Sequence, residues 1–267
     1  MQKTAHSTLS DKCGRLTAEG VLQLACPRSW AEMTQEQMRY ALHVIGCGMY
    51  SSIEGRTLML LHFTGIEVLN KTPGGWTCSV SIEDDGKKKT KRHFFFMQSW
   101  QVQDMIQQLE YVDSYETMDV RLESIQGFKA VDAMLHKVLF EDYLNMEKYY
   151  QGYLATKEQK YALGLARLLY PGGVTAIDDA ELTGCIMWFS YVKKQFSKLF
   201  RHFFKPAPSS GQSVNWLEQM NAQIRALTDG DITKERTVLD ADCWRALTEL
   251  DAKAREAEDF RRKYPNS

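Results

Sequence analysis

A dominant charge is the first thing this chain lacks. Its 33 Lys and Arg offset 34 Asp and Glu, for a formal net charge of −1. No overall field therefore draws it to nucleic acid or an anionic membrane, and any such affinity must come from a local patch. No apolar run approaches the roughly 20 residues needed to span a bilayer, and the opening MQKTAHSTLS lacks the apolar middle of a signal peptide. The expectation is a protein that stays in the compartment where it is made. Six cysteines, at positions 13, 26, 47, 78, 185 and 243, form no C-x-x-C pair. That spacing predicts free, mostly buried thiols instead of a disulfide framework. Also missing are a phosphate-cradling Gly-rich motif, a nucleophile elbow and a His pair at metalloprotease spacing, so no catalytic signature is legible. No cofactor and no metal are expected. The sharper alternative is a metal site from His43 and Cys47, four apart on one helical face, with Cys26 or His62 nearby; the paired short spacings of a four-ligand zinc site are absent.

What is present is ordinary globular composition. With 267 residues, 44% of them hydrophobic and 25% charged, the chain can bury one large core or two modest ones. The fullest helix start lies in PRSWAEMTQEQMRYALHVIGCGM, Pro27 to Met49. Thr34 and Gln37 stand at capping-box spacing, Met33 and Met38 flank the cap as a hydrophobic staple, and Met38, Leu42, Ile45 and Met49 continue one apolar stripe. The helix should break at Gly46 or Gly48. Ser51 and Glu54 repeat the capping spacing before a second apolar helix that ends at Gly65.

After Pro73 the pattern changes to alternation. Trp76, Cys78, Val80 and Ile82 predict a strand, Asp85-Gly86 a tight turn, and Lys89 to Met97 the return strand, a β-hairpin over about 76–97. Its HFFFM end is apolar at successive positions and reads as buried on both faces. The tip EDDGKKKTKR reads as a solvated hairpin tip with cross-strand charge pairs, or as a phosphate-binding finger. Ser99 opens another helix, and a short strand is expected within 120–125. Helices follow over about 131–153 and 157–170, stopped by Pro171-Gly172-Gly173, then over about 180–204. The segment KPAPSSGQS is the linker candidate. Beyond it lie a helix over 214–228 and a final one from about 240. The final helix carries a seam of Cys243, Leu247, Leu250, Ala254, Ala257 and Tyr264 and four acid-before-base pairs at spacing four. The expected architecture is α+β and mainly α: a flexible arm over 1–26, a mainly helical domain over 27–204 with the β-hairpin, a linker over 205–213, and a C-terminal helical hairpin over 214–267, partly clear of the body.

Two stretches attract chemical readings. WFSYVKKQFSKLFRHFFKP, from Trp188, holds Lys193, Lys194, Lys198, Arg201 and Lys205 without a carboxylate, among seven aromatic residues. It is compatible with a membrane-surface helix, with a nucleic-acid surface or with a structural helix that buries its rings. The loop DGDITKERTVLD places Asp229, Asp231, Thr233 and Asp240 at calcium-loop positions, but Lys234 stands where the turn needs Gly and Asp240 where a bidentate Glu is required. A helix connection with Gly230 as C-cap is the plainer reading.

Two segments, SWAEMTQEQM (Ser29–Met38) and MNAQIRALTDGDITKERTVLDADCWRALTELDAKAREAEDF (Met220–Phe260), resemble proteins encoded among the morphogenesis genes of bacterial prophages. They cover roughly a fifth of the chain. The resemblance implies a phage morphogenesis accessory of the tail-assembly chaperone or minor structural type. Its partners would be phage structural or assembly proteins, or copies of itself, in the host cytoplasm or in the virion. The expected function is accordingly a non-enzymatic assembly or adaptor protein. Its expected partner-binding residues are Trp188, Phe196, Phe200 and Phe203 on the aromatic helix and Leu247, Leu250 and Ala254 on the seam. The alternative is a nucleic-acid-binding accessory that uses Lys193, Lys194, Lys198 and Arg201.

Overall fold

A computed structural model describes residues 15–16, 22–84, 87–205 and 216–264. The fold is α+β and mainly α, in two compact units, Met1–Met118 and Asp119–Ser267. The expected boundary at 205–213 therefore gives way to one at Met118/Asp119. Apart from Lys205, the linker candidate lies outside the described residues, as do Asp85-Gly86 and most of the arm.

In the first unit a short strand pair, β1 (Arg15–Leu16) and β2 (Leu22–Gln23), precedes α1 (Gln35–Val44). Thr34 and Gln37 form the complete capping box: Thr34 Oγ1 accepts from the Gln37 amide at 3.2 Å, and Gln37 Oε1 accepts from the Thr34 amide at 3.0 Å. Met33 and Met38 are both buried, as the staple requires. The helix widens into one π-type turn at Ile45–Met49 and ends where Gly48 takes φ +84°. α2 (Ile53–Thr64) is capped by Ser52 instead of Ser51, and Gly65 closes it in the left-handed region at φ +66°.

The predicted hairpin is two strands of three. β3 (Ile66–Thr72), β4 (Gly75–Asp84) and β5 (Lys87–Gln98) form an antiparallel sheet in the order β3-β4-β5, followed by α3 (Ser99–Gln107). α2 and α3 pack on one face, where Ile66, Cys78, Met97 and Val102 form a buried cluster. The HFFFM reading is corrected here. Among the described residues of this unit, helices cover one face of the sheet, and the side-chain alternation turns Phe94 and Phe96 away from it, while Met97 is buried.

The second unit begins with a two-strand element, β6 (Ser124–Ile125) and β7 (Phe128–Lys129). Residues 131–139, predicted as helix, are irregular, and α4 spans Phe140–Thr156. α5 (Gln159–Leu169) returns against it. α6 (Asp179–Leu199) opens with a full Asp178/Glu181 capping box and buries Trp188, Phe189, Val192 and Phe196. α7 (Trp216–Thr228) leads through a short 3-10 turn to α8 (Glu235–Leu239) and α9 (Cys243–Lys263). α9 does not stand clear of the body. Leu139 and Asp242 form a β-bridge, the Phe140 amide donates to Ala241 O at 2.8 Å, and the Cys243 amide donates to Val138 O at 2.8 Å. The first half of the seam points inward, with Cys243, Leu247 and Leu250 buried, at about 1.5–3 kcal/mol for each fully covered leucine-sized side chain, whereas Ala257 and Tyr264 are exposed. Among the described residues no helix is long and apolar enough to cross a membrane.

Candidate functional site

The C-terminal unit contains a cleft of about 750 Å³, within the range of ligand and peptide sites. Tyr143, Leu144, Glu147 and Gln151 reach it from one face of α4, at the three- and four-residue spacings that align side chains on a helix. Opposite them α7 presents Trp216, Gln219, Gln223 and Ala226. α9 supplies Leu250, Lys253 and Ala254, and the turn after α6 supplies Phe203 and Phe204. That turn is fixed from α9, because Asp251 Oδ1 accepts from the His202 amide at 2.7 Å and from the Phe203 amide at 3.0 Å. The Phe203 and Phe204 rings then meet edge to face with centroids 4.8 Å apart.

The cations around the cleft are neutralised by partners distant in sequence. Lys193 Nζ donates to Glu147 Oε1 and lies 4.9 Å from the Tyr150 ring centroid. The two charged side chains are only 24% and 13% exposed. Glu147 Oε1 also accepts from Gln151 Nε2 at 2.8 Å. Lys253 Nζ donates to Asp229 Oδ1 at 2.5 Å, and this bond holds the Asp229 carboxyl below its usual range. Lys205 donates to Glu258, whose carboxyl is likewise lowered, first by that bond and then by His202 Nδ1 at 3.2 Å. Two acceptors stay unsatisfied: Glu147 Oε2 and Gln223 Oε1 are buried and have no hydrogen-bond partner among the described residues. The arrangement suits an apolar group that carries an N–H or O–H donor.

Of the expected contact residues, the structure brings Phe203, Leu250 and Ala254 together on this cleft. Trp188, Phe196, Phe200 and Leu247 are corrected to core residues. The Trp188 indole donates to Ala133 O at 2.9 Å, and Phe196 and Phe200 pack edge to face on Trp244 with centroids 5.4 and 5.6 Å away. Apolar area on a bundle helix is worth more buried than wet, which is why those rings point inward. In the alternative patch, Lys193 is held by Glu147, Lys194 is half-buried with an interaction of its own, and Lys198 and Arg201 are exposed.

Metal readings gain nothing. Among the described residues no three metal-ligating side chains gather. Cys47 Sγ lies 3.7 Å from His43 Nε2, whereas the His62 ring stacks on Tyr40 with centroids 3.7 Å apart. Asp231 accepts from the Thr233 amide at 3.0 Å, so that it caps a turn. Sequence reasoning missed Tyr143, Glu147, Trp216 and Gln223. A usable signal existed only on α7, where 216, 219, 223 and 226 repeat at helical spacing beside the apolar stripe. Comparison of the chain with protein families, with curated proteins and with solved structures finds no match.

Proposed function

We propose that the protein is a non-enzymatic adaptor that holds an apolar segment of a protein partner in the cleft of its C-terminal unit. The observation that supports this reading is the convergence of Phe203, Leu250 and Ala254 with Tyr143, Trp216 and Phe204 around one opening whose lysines are already paired. Such a wall favours apolar contact, and the two unsatisfied acceptors give the occupant a fixed orientation. The resemblance to prophage morphogenesis proteins supplies the setting: assembly of a phage tail or particle, with structural or assembly proteins as partners, in the host cytoplasm or carried into the virion.

The test fills the cleft without touching the core. Ala222 on α7 lines the cleft as well, so Ala254→Trp and Ala222→Trp place an indole in the opening from α9 and from α7. Each tagged variant and the wild type are recovered from cells in which the prophage is induced, washed at moderate salt and analysed by mass spectrometry. A tail or capsid protein at fixed ratio with the wild type, and lost from both variants, supports the proposal. Equal recovery from all three, or recovery of a small metabolite alone, overturns it.

A further inference from the structure

The end of α1 carries a pair of side chains that the cleft does not use. His43, in the last turn of the helix, and Cys47, in the π-type turn that follows, are four residues apart and both exposed. Cys47 Sγ lies 3.7 Å from His43 Nε2. A thiolate sulfur and an imidazole nitrogen on one tetrahedral zinc ion, at about 2.3 Å and 2.0–2.1 Å from the metal, stand about 3.6 Å apart. The pair thus has the bite of a metal chelate. Space beside it is open: Gly46 and Gly48 flank the thiol, and a Cβ on Gly48 would meet nothing within 4 Å. The C-terminal end of a helix also favours a cation, because its last carbonyls carry partial negative charge. One chain, however, gathers no third ligand among the described residues.

We propose that two copies of the chain share one borderline-soft divalent ion of the zinc class between their His43–Cys47 pairs. Such an ion takes four ligands in a tetrahedron, two thiolates and two imidazoles among the usual sets, and a two-fold axis through the metal supplies both halves from one kind of surface. A metal reading within one chain stops at two ligands; the second copy completes it. Hard ions such as magnesium and calcium are excluded by their preference for oxygen. Just beyond the pair, Met49, Tyr50 and Ile53 are 37%, 44% and 63% exposed, so closure around the ion gives these apolar side chains a neighbour. Nothing is oxidised in the binding step. Each Cys47 thiol releases its proton to solvent as its sulfur bonds the metal, each neutral imidazole binds through Nε2, and one ion displaces two protons. The site belongs to the first unit and does not rest on the cleft reading.

Full-length protein, kept reduced with a phosphine and stripped of metal with a chelator, is titrated with zinc chloride while its mass is followed by sedimentation velocity. The mass should double, saturate at one ion for two chains and return to its starting value when chelator is added, and magnesium chloride should leave it unchanged. Cobalt(II) in place of zinc should show a thiolate-to-metal charge-transfer band and the intense visible bands of a tetrahedral site. Cys47→Ser and His43→Gln, both at exposed positions, should melt with the metal-free wild type and should each lose the doubling and the spectrum. Lowering the pH should weaken binding, since protons compete with the metal for sulfur and nitrogen. A mass that zinc does not change overturns the proposal. So does one ion bound per chain without a change of mass, or a doubling that survives in both variants.

Discussion

Lys193 and Glu147 stand 46 residues apart in sequence and share one largely covered place beside the cleft. Taking away one partner strands the other charge where water cannot fully reach it. Lys193→Met should cost about 2–3 kcal/mol, somewhat under the 3–5 of a fully buried pair because both groups keep some exposure. The double variant Lys193→Met/Glu147→Leu should recover most of that loss. Urea midpoints for the wild type, both single variants and the double variant close the cycle, and additive losses would deny the coupling. No sequence spacing announced this pair: the patch reading saw Lys193 as a free cation because the neutralising carboxylate comes from a different helix. The acid-before-base pairs on the last helix misled in the same way. Asp251, Lys253 and Glu258 each stand four residues from an opposite charge, at Arg255, Glu249 and Arg262, yet they reach to backbone amides, to Asp229 and to Lys205. The thiols were easier. Cys185 and Cys243 are buried as expected, and burial pushes the Cys243 thiol up to about 12, out of reach of the thiolate state at neutral pH.

Among the elements, α4 and α5 show most clearly how a helical hairpin is keyed. Each helix contributes a glycine that lies under a tyrosine of the other. A Cβ on Gly164 would meet the Tyr149 ring at 2.6 Å, and one on Gly152 would meet the Tyr161 ring at 2.6 Å. Alanine is the better helix former by about 1 kcal/mol, but here overpacking outweighs propensity. Gly164→Ala should therefore lower stability by about 1–2 kcal/mol, and adding Tyr149→Ala should relieve part of the strain. Thermal melts of the two single variants and the double variant decide it; a stabilised Gly164→Ala would show that the ring moves freely aside. This hairpin, the capping box at Thr34 and the turn at Gly65 follow from local rules and were legible; the box at Asp178 obeys the same rule and was not read, the helix being expected only from about Ala180. The irregular stretch at 131–139 was not legible either. Its apolar residues repeat at helical spacing, yet Asp132 Oδ1 accepts from the amides of Met134 and His136, and Leu135 and Lys137 adopt positive φ. Side-chain capture of the backbone there competes with helix, and β5 shows the counterpart, where successive phenylalanines concealed an alternation that leaves Phe94 and Phe96 exposed.

For the molecule as a whole, the division at Met118/Asp119 predicts that residues 119–267 form a folding unit of their own. That fragment should keep its helical circular dichroism and unfold in one cooperative transition, and a broad, non-cooperative melt would contradict it. Composition allowed one core or two but could not place the boundary, because no proline- or glycine-rich stretch marks it. The best linker motif lies inside the second unit's sequence instead. Inside that unit, the backbone pairing of 138–140 with 241–243 joins positions roughly a hundred residues apart. On a ribosome the chain emerges in order, at about 5–20 residues per second. The first unit's residues are all available early, whereas the first helix of the second unit must wait several seconds for its bridging strand. A truncated product that stops before residue 241 would carry Leu139 and the N-terminal end of α4 unsealed, with Phe140 and Leu135 open to water. Such nascent chains are natural clients for a holding chaperone, and this protein's yield in a cell should depend on translation reaching α9.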